Sequence, residues 1–311
     1  MYDAIQSEDK QLYKIEHHGA VNGVTGSCHQ LSLLGRSVLI DCGLFQGDES
    51  FDREIDDDSQ THSQADSHSH AHAAHLKQID FPIDDVKALL VTHCHIDHVG
   101  RIPYLLAAGF TGPIYATKAT ALLLPLVIED AIKVGVTRNR SIIRSVMKRF
   151  KSQLVAIDYD QWFCVEGFRD DLSDSKRETL KAKFKVAGHI IGSAYIEFDV
   201  LAGKHNKKRV VFSGDLGAPY SPLLPAPKSP YRCDELVIES TYGDRCHESR
   251  HDRRQLLQDT LERCLANKGT VLIPAFSIGR TQELLYTRTK RFSSRSIAVT
   301  FRSGALSKMW Q

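Results

Sequence analysis

The sequence predicts an α/β fold in which apolar strands hand over to helices through polar turns, and three observations carry that expectation. An apolar run, Val86 to Val91, reads as a buried parallel strand and ends in Thr92-His93-Cys94-His95-Ile96-Asp97-His98. Two later strand-like runs end in glycine-flanked polar turns: Phe184 to Ala187 before Gly188-His189, and Arg209 to Phe212 before Ser213-Gly214-Asp215. From Thr117 onward, Leu122, Leu123, Leu126, Val127 and Ile128 recur at helical spacing, with Pro125 expected to kink the helix.

At 311 residues with 42% hydrophobic content, the chain suits one large or two moderate domains with ample core. The formal net charge of +2 is close to neutral, so composition alone points to neither nucleic acid nor membrane. Seven cysteines are scattered without Cys-x-x-Cys pairs and read as reduced thiols. With a polar N-terminus and no apolar run of membrane length, the expectation is a cytoplasmic protein without a membrane partner, its oligomeric state, homo-oligomer included, left open.

Along the chain, Tyr13 to His18 and Val38 to Leu44 read as strands joined by a glycine-punctuated loop, Gly19 to Ser27. Asp41, at the end of the second strand, is either an acceptor behind a metal ligand or a turn-forming Asp-x-Gly. Residues 48–78 change character: seven acids between Asp48 and Asp58, then His62, His68, His70, His72 and His75 among Ser, Gln and Ala. This composition predicts a mobile insertion with loose metal affinity at most. Beyond the histidine cluster, a helix over Val99 to Ala107 should end at Gly109, followed by a short strand from Pro113 to Ala116. Lys133 to Lys151 holds seven basic residues and no acid, suiting a phosphate backbone or a solvated helix face.

Strand geometry joins these turns into one chemical expectation. Residues two apart in an extended backbone point the same way, so His93 and His95 can converge on one ion. A turn into a helix at about Asp97 would carry Asp97 and His98 toward a second. Open α/β sheets gather ligands at strand C-termini, where His189 and Asp215 are also expected. His93, His95 and His189 would supply three imidazoles to the first ion, Asp97 and His98 would hold its neighbour, and Asp215 could bridge. Nitrogen and oxygen donors without thiolate suit two Zn²⁺ ions, with Mn²⁺ or Fe²⁺ as alternatives. Cys94 should point to the opposite strand face and pack.

These residues resemble a known family. His93 to His98, Gly188-His189 and Ser213-Gly214-Asp215 look like the second, third and fourth motifs of the metallo-β-lactamase fold, with Asp41 its first. Leu236 to Arg245 and Val271 to Glu283 are similar to the opening of the β-CASP insertion, the mark of the branch that processes nucleic acids. The resemblance implies a four-layer αββα fold in residues 1–245, a partial β-CASP domain in 246–286, RNA as the partner and metal-dependent hydrolysis of RNA phosphodiester bonds. It also implies that Glu239 is an acid that partners a catalytic histidine, so catalytic roles are expected of Asp97, Asp215 and Glu239. Alternatives are a small-molecule thioester or lactam hydrolase of the same fold and a noncatalytic RNA-binding relative.

The segment 271–283 reads independently as strand, turn and helix. Arg280 stands either beside a phosphate at the helix entry or in an i,i+3 ion pair with Glu283. The chain departs from the family pattern toward its end, where only His247 and His251 follow Asp215. Residues 287–311 carry six basic residues and no acid. They are expected to be a truncated or frame-shifted end, or else the basic RNA-gripping tail of a short variant. An incomplete second metal site, impaired turnover and low stability would accompany a missing closure.

Overall fold

A computed structural model describes residues 13–46, 78–168, 178–202, 206–219, 221–246 and 250–291. The insertion expected at 48–78, apart from Gln78, and the tail beyond Arg291 lie outside these. Contacts divide the chain into a large unit reaching Ile238 and a small one beginning at Glu239.

In the large unit, β1 (Lys14–Gly19), β2 (Cys28–Leu33), β3 (Arg36–Ile40), β4 (Val86–Leu90), β5 (Ile114–Thr117) and β6 (Leu154–Ile157) form one sheet in sequence order. Its first three strands are antiparallel neighbours and the remainder run parallel. β2 corrects the expected single loop between two strands: Cys28–Leu33 pairs with both β1 and β3 and turns into β3 through Leu34 and Gly35, both at positive φ. The second sheet runs β11 (Glu235–Val237), β10 (Asn206–Phe212), β9 (Ala194–Ala202), β8 (Glu178–Val186), β7 (Phe163–Cys164).

Side-chain alternation explains why the sheets stack. Leu31 and Leu33, Val38 and Ile40, and Ala88 and Leu90 face Leu180, Ala182, Phe184, Ile196, Phe198 and Phe212 in a dry layer between the sheets. The intervening Leu39 and Leu89 turn to the other face of the first sheet and are also fully buried. On the first sheet's side lie α1 (Ile96–Val99), α2 (Ile102–Ala107), α3 (Lys118–Gly135) and α4 (Arg140–Gln153). The buried face of α3 is Leu124, Ile128 and Ile132, while Leu122 and Leu126 are exposed. The apolar spacing from Leu122 therefore located the helix but not its inward stripe, because exposed leucines share the same period.

The second sheet's far face is charged. Lys183 and Arg209 reach Glu197 at 2.8 and 3.2 Å, and the Trp162 ring lies under both cations. The small unit contains α5 (Arg250–Ala266) and α6 (Arg280–Arg291). Residues 271–276 form no strand, contrary to the sequence expectation, and α6 continues past Thr287 to Arg291. Among the described residues no helix is long and apolar enough to cross a membrane.

Candidate metal centre

β4 ends at Leu90, and the chain turns through Thr92–His95 into α1. The turn is held from behind by backbone bonds: Ser27 N–H donates to Asp97 O at 2.9 Å, Cys42 N–H to His98 O at 2.8 Å, and Leu44 N–H to Ile96 O at 3.1 Å. Gly43 is needed at this crossing, since a Cβ there would stand 1.6 Å from Asp97 O. Arg101, fully buried, donates Nε to Gly43 O at 2.6 Å and lies over Phe45.

The other ligating segments arrive from the second sheet. Gly188 takes a positive φ, and His189 N–H donates to Ser193 Oγ at 2.9 Å. The Thr117 and Thr120 hydroxyls both donate to Gly192 O, tying this loop to the start of α3. Gly214, also at positive φ, lets the Asp215 turn lie against Thr92, where a Cβ would meet the threonine side chain at 2.7 Å.

His93, His95, His189 and Asp215 thereby form a group whose potential ligand atoms all lie within 4.8 Å of one another. His95 Nδ1 is 3.1 Å from His93 Nε2 and 3.1 Å from His189 Nε2. Asp215 Oδ2 is 3.4 Å from His189 Nε2 and 3.8 Å from His93 Nε2. Ligands at Zn–N distances have tetrahedral edges of about 3.3 Å, close to the three shortest of these separations, and the four atoms would draw in slightly around one cation of that size. Asp215 Oδ1 faces the other way, 3.1 Å from His98 Nε2, which in turn is 3.9 Å from Asp97 Oδ2. The second set is looser than the first.

Asp41 is 1% exposed with φ +61° and accepts three bonds: from Thr92 N–H at 2.8 Å, the Thr92 hydroxyl at 2.7 Å and His98 Nδ1 at 2.7 Å. With Nδ1–H committed to a carboxylate, His98 presents Nε2 to Asp215. Of the two expectations for Asp41, the acceptor role is the one observed, with His98, a candidate ligand, as the partner.

The electrostatics match the donor set. Burial, reinforced by the neighbouring imidazoles, holds His93 far below the usual histidine range and so neutral. Burial opposes ionisation of Asp215, but the hydrogen bond and charge of His98, with His189 and His95, bring its carboxyl down to about 2. At His98, burial favours the neutral ring and is outweighed by Asp41 and Asp215, which raise its affinity for a positive charge. Burial also raises the Asp97 carboxyl, which His98 partly offsets. Cys94 is 1% exposed and its thiol is pushed up to about 11 by burial, consistent with packing rather than ligation.

The structure thus brings His93, His95, Asp97, His98, His189 and Asp215 together at the strand ends. Glu239, half-buried, opens the small unit. Arg280 forms the i,i+3 pair with Glu283 at 2.7 Å, and Gly279 N–H donates to Gln282 Oε1, which occupies the helix entry. His247 and the side chain of His251 lie outside the described residues. Sequence reasoning assigned no role to Thr92 or Ser193, whose hydroxyls fix the ligands from behind. A threonine directly before His-x-His was the available signal for the first; none marked the second.

A two-sheet α/β sandwich carrying a histidine and carboxylate group at its strand ends, able to bind metal, defines a metallo-β-lactamase domain. Residues 33–164 match the sequence profile of the Metallo-beta-lactamase superfamily. Ribonuclease TTHA0252 of Thermus thermophilus is 35% identical over 273 residues, covering 88% of this chain and 54% of that protein. Transcription termination factor FttA of Cenarchaeum symbiosum is 31% identical over 276 residues, covering 86% of this chain and 37% of that protein. Cleavage and polyadenylation specificity factor subunit 3-I of Arabidopsis thaliana is 31% identical over 271 residues, covering 86% of this chain and 34% of that protein. The chain spans about half the length of the bacterial relative and little more than a third of the other two. The chain carries a metallo-β-lactamase domain, and the proteins it is similar to include a ribonuclease, a transcription termination factor and a cleavage and polyadenylation factor subunit.

Proposed function

We propose that this chain carries the metal centre of a hydrolase of RNA phosphodiester bonds, with Zn²⁺ held by His93, His95, His189 and Asp215 and a second ion by Asp97, His98 and the far oxygen of Asp215. The observation that carries this proposal is the convergence of three imidazole nitrogens and one carboxylate oxygen within 4.8 Å, drawn from three separated segments. Relatives named as a ribonuclease and a cleavage factor supply the substrate class.

A divalent ion bound by such donors supplies Lewis acidity and lowers the pKa of bound water toward ~7. The chain's own residues provide the rest. Asp41 fixes the His98 tautomer and, with Thr92, the end of β4. Ser193 fixes the His189 backbone. Asp215, ionised, offers one oxygen to each side of the site. Asp97 stands beside His98 as a carboxylate able to hold a proton during the reaction. Glu239 is proposed, on its motif, as the acid that partners a histidine near the leaving oxygen. The functional division we propose leaves the metal centre in residues 1–245 and the beginning of a β-CASP domain in 246–286.

The test is to offer a labelled RNA, nitrocefin and a thioester to the purified chain with and without Zn²⁺. Metal-dependent cleavage of RNA alone is expected, abolished by His95→Ala. Turnover of nitrocefin or thioester instead, or RNA cleavage that survives both chelation and His95→Ala, would overturn the proposal.

A further inference from the structure

α4 carries a line of cations that the metal centre does not use. Arg140, Arg144, Lys148 and Lys151 are all exposed and, at 100° per residue, fall within an arc of about 80°. Eleven residues at 1.5 Å rise give the line a length of about 16 Å. The adjoining face, Ile143, Met147 and Phe150, about 90° round the helix, is buried, and the C-terminal end is anchored by Arg149 and Gln153 to the carbonyls of Phe110 and Gly112. Those carbonyls precede β5, so this end of α4 lies at the opposite edge of the parallel strands from the metal turn.

The line runs against the helix's own stability. Arg140 sits at the positively polarised N-terminus, and no acid occurs in the first turn. Arg140–Arg144 and Arg144–Lys148 are like charges at i,i+4, and Lys148–Lys151 at i,i+3, each mildly destabilising. None of the four has a carboxylate within ion-pair distance among the described residues, whereas Lys133 on α3 is paired with Glu129 at 2.6 Å. Exposed Ser141, Ser145 and Ser152 flank the line with hydroxyls. A local pattern that weakens its own helix points to an external counter-charge.

We propose that this face of α4 grips the phosphate backbone of single-stranded RNA away from the metal centre, holding a long substrate whose other part reaches that centre. The inference takes its polymer from the proposed function and adds a second contact surface. The regular cationic spacing, with hydroxyls and no apolar anchor on that strip, fits a phosphate backbone rather than a folded protein partner.

The test combines Arg140→Gln, Arg144→Gln, Lys148→Gln and Lys151→Gln in the full chain, with circular dichroism confirming the fold; individual substitutions serve if the combination fails to fold. Anisotropy with a labelled 30-nucleotide RNA across 50–300 mM KCl should show the salt slope reduced by about 3, since each phosphate contact contributes roughly 0.7. Cleavage of a 6-nucleotide RNA should be unchanged while KM for the 30-mer rises. An unchanged slope and affinity, or equal α4-dependent binding of polyglutamate in place of RNA, would overturn the inference. Loss of the slope in a chain that cleaves no RNA would sink the proposed function and leave this surface standing; cleavage of the 30-mer with a KM indifferent to α4 would do the reverse.

Discussion

Asp41 holds two neighbours at once, and replacing its carboxylate with an amide tests that work without removing a ligand. Asparagine tolerates the φ of +61° and fills the same space, so the fold should persist in Asp41→Asn. His98 would lose its carboxylate acceptor, and metal affinity should fall about 10- to 100-fold, measured by competition with a chromophoric chelator. His29 offers a pH test at the same scale. Burial, together with the nearby His17, lowers its pKa from 6.5 to about 3. The unfolded chain therefore takes up a proton first as pH falls below about 6.5, and stability declines until about pH 3. At pH 5 this costs ~2 kcal/mol relative to neutral pH. Denaturant melts at pH 7.5 and 5 should show wild type losing about that much more stability than His29→Gln between the two pH values. The six candidate ligands were nameable in sequence because each stands where an apolar run stops. Thr92 and Ser193 were not, because hydroxyls are common and the partner of Thr92, Asp41, is 51 residues away in sequence.

Among the elements, the crossing of Gly43 over α1 is the most exacting. Gly43→Ala places a methyl 1.6 Å from Asp97 O, so either the strand end or the metal turn must move. Urea denaturation should show a loss of ~3 kcal/mol or more, with weakened metal binding in the same variant. The strands that feed the site were readable because their apolar residues are contiguous. β2 was not: in Cys-His-Gln-Leu-Ser-Leu its buried Gln30 and Cys28 hide the alternation that Leu31 and Leu33 carry. The opposite error occurred at Val271–Pro274, where an apolar run suggested a strand and Leu272 is instead exposed. Apolar residues announce a strand only where a partner strand is available to pair with them.

At the scale of the molecule, the two sheets bury one apolar layer while the candidate ligands come from both of them, so a bound metal would tie the sheets together. Chelation should lower the melting temperature. At metal concentrations near a thousand times Kd, the coupling is worth ~4 kcal/mol, read as the difference between EDTA-treated and Zn²⁺-loaded melts. The superfamily was legible through the resemblance of its motifs to those of known members. The boundary between the units, at Ile238 and Glu239, was not, because it falls inside a motif that looks continuous in sequence.

The most direct measurement is a titration of Zn²⁺ into the chain and into His93→Ala and His189→Ala variants, read by isothermal calorimetry with X-ray absorption on the loaded protein. Tight binding through imidazole and carboxylate at ~2.0–2.2 Å, lost in both variants, is the predicted result. Undiminished tight binding in both variants, or sulfur at ~2.3 Å around the ion, would contradict it.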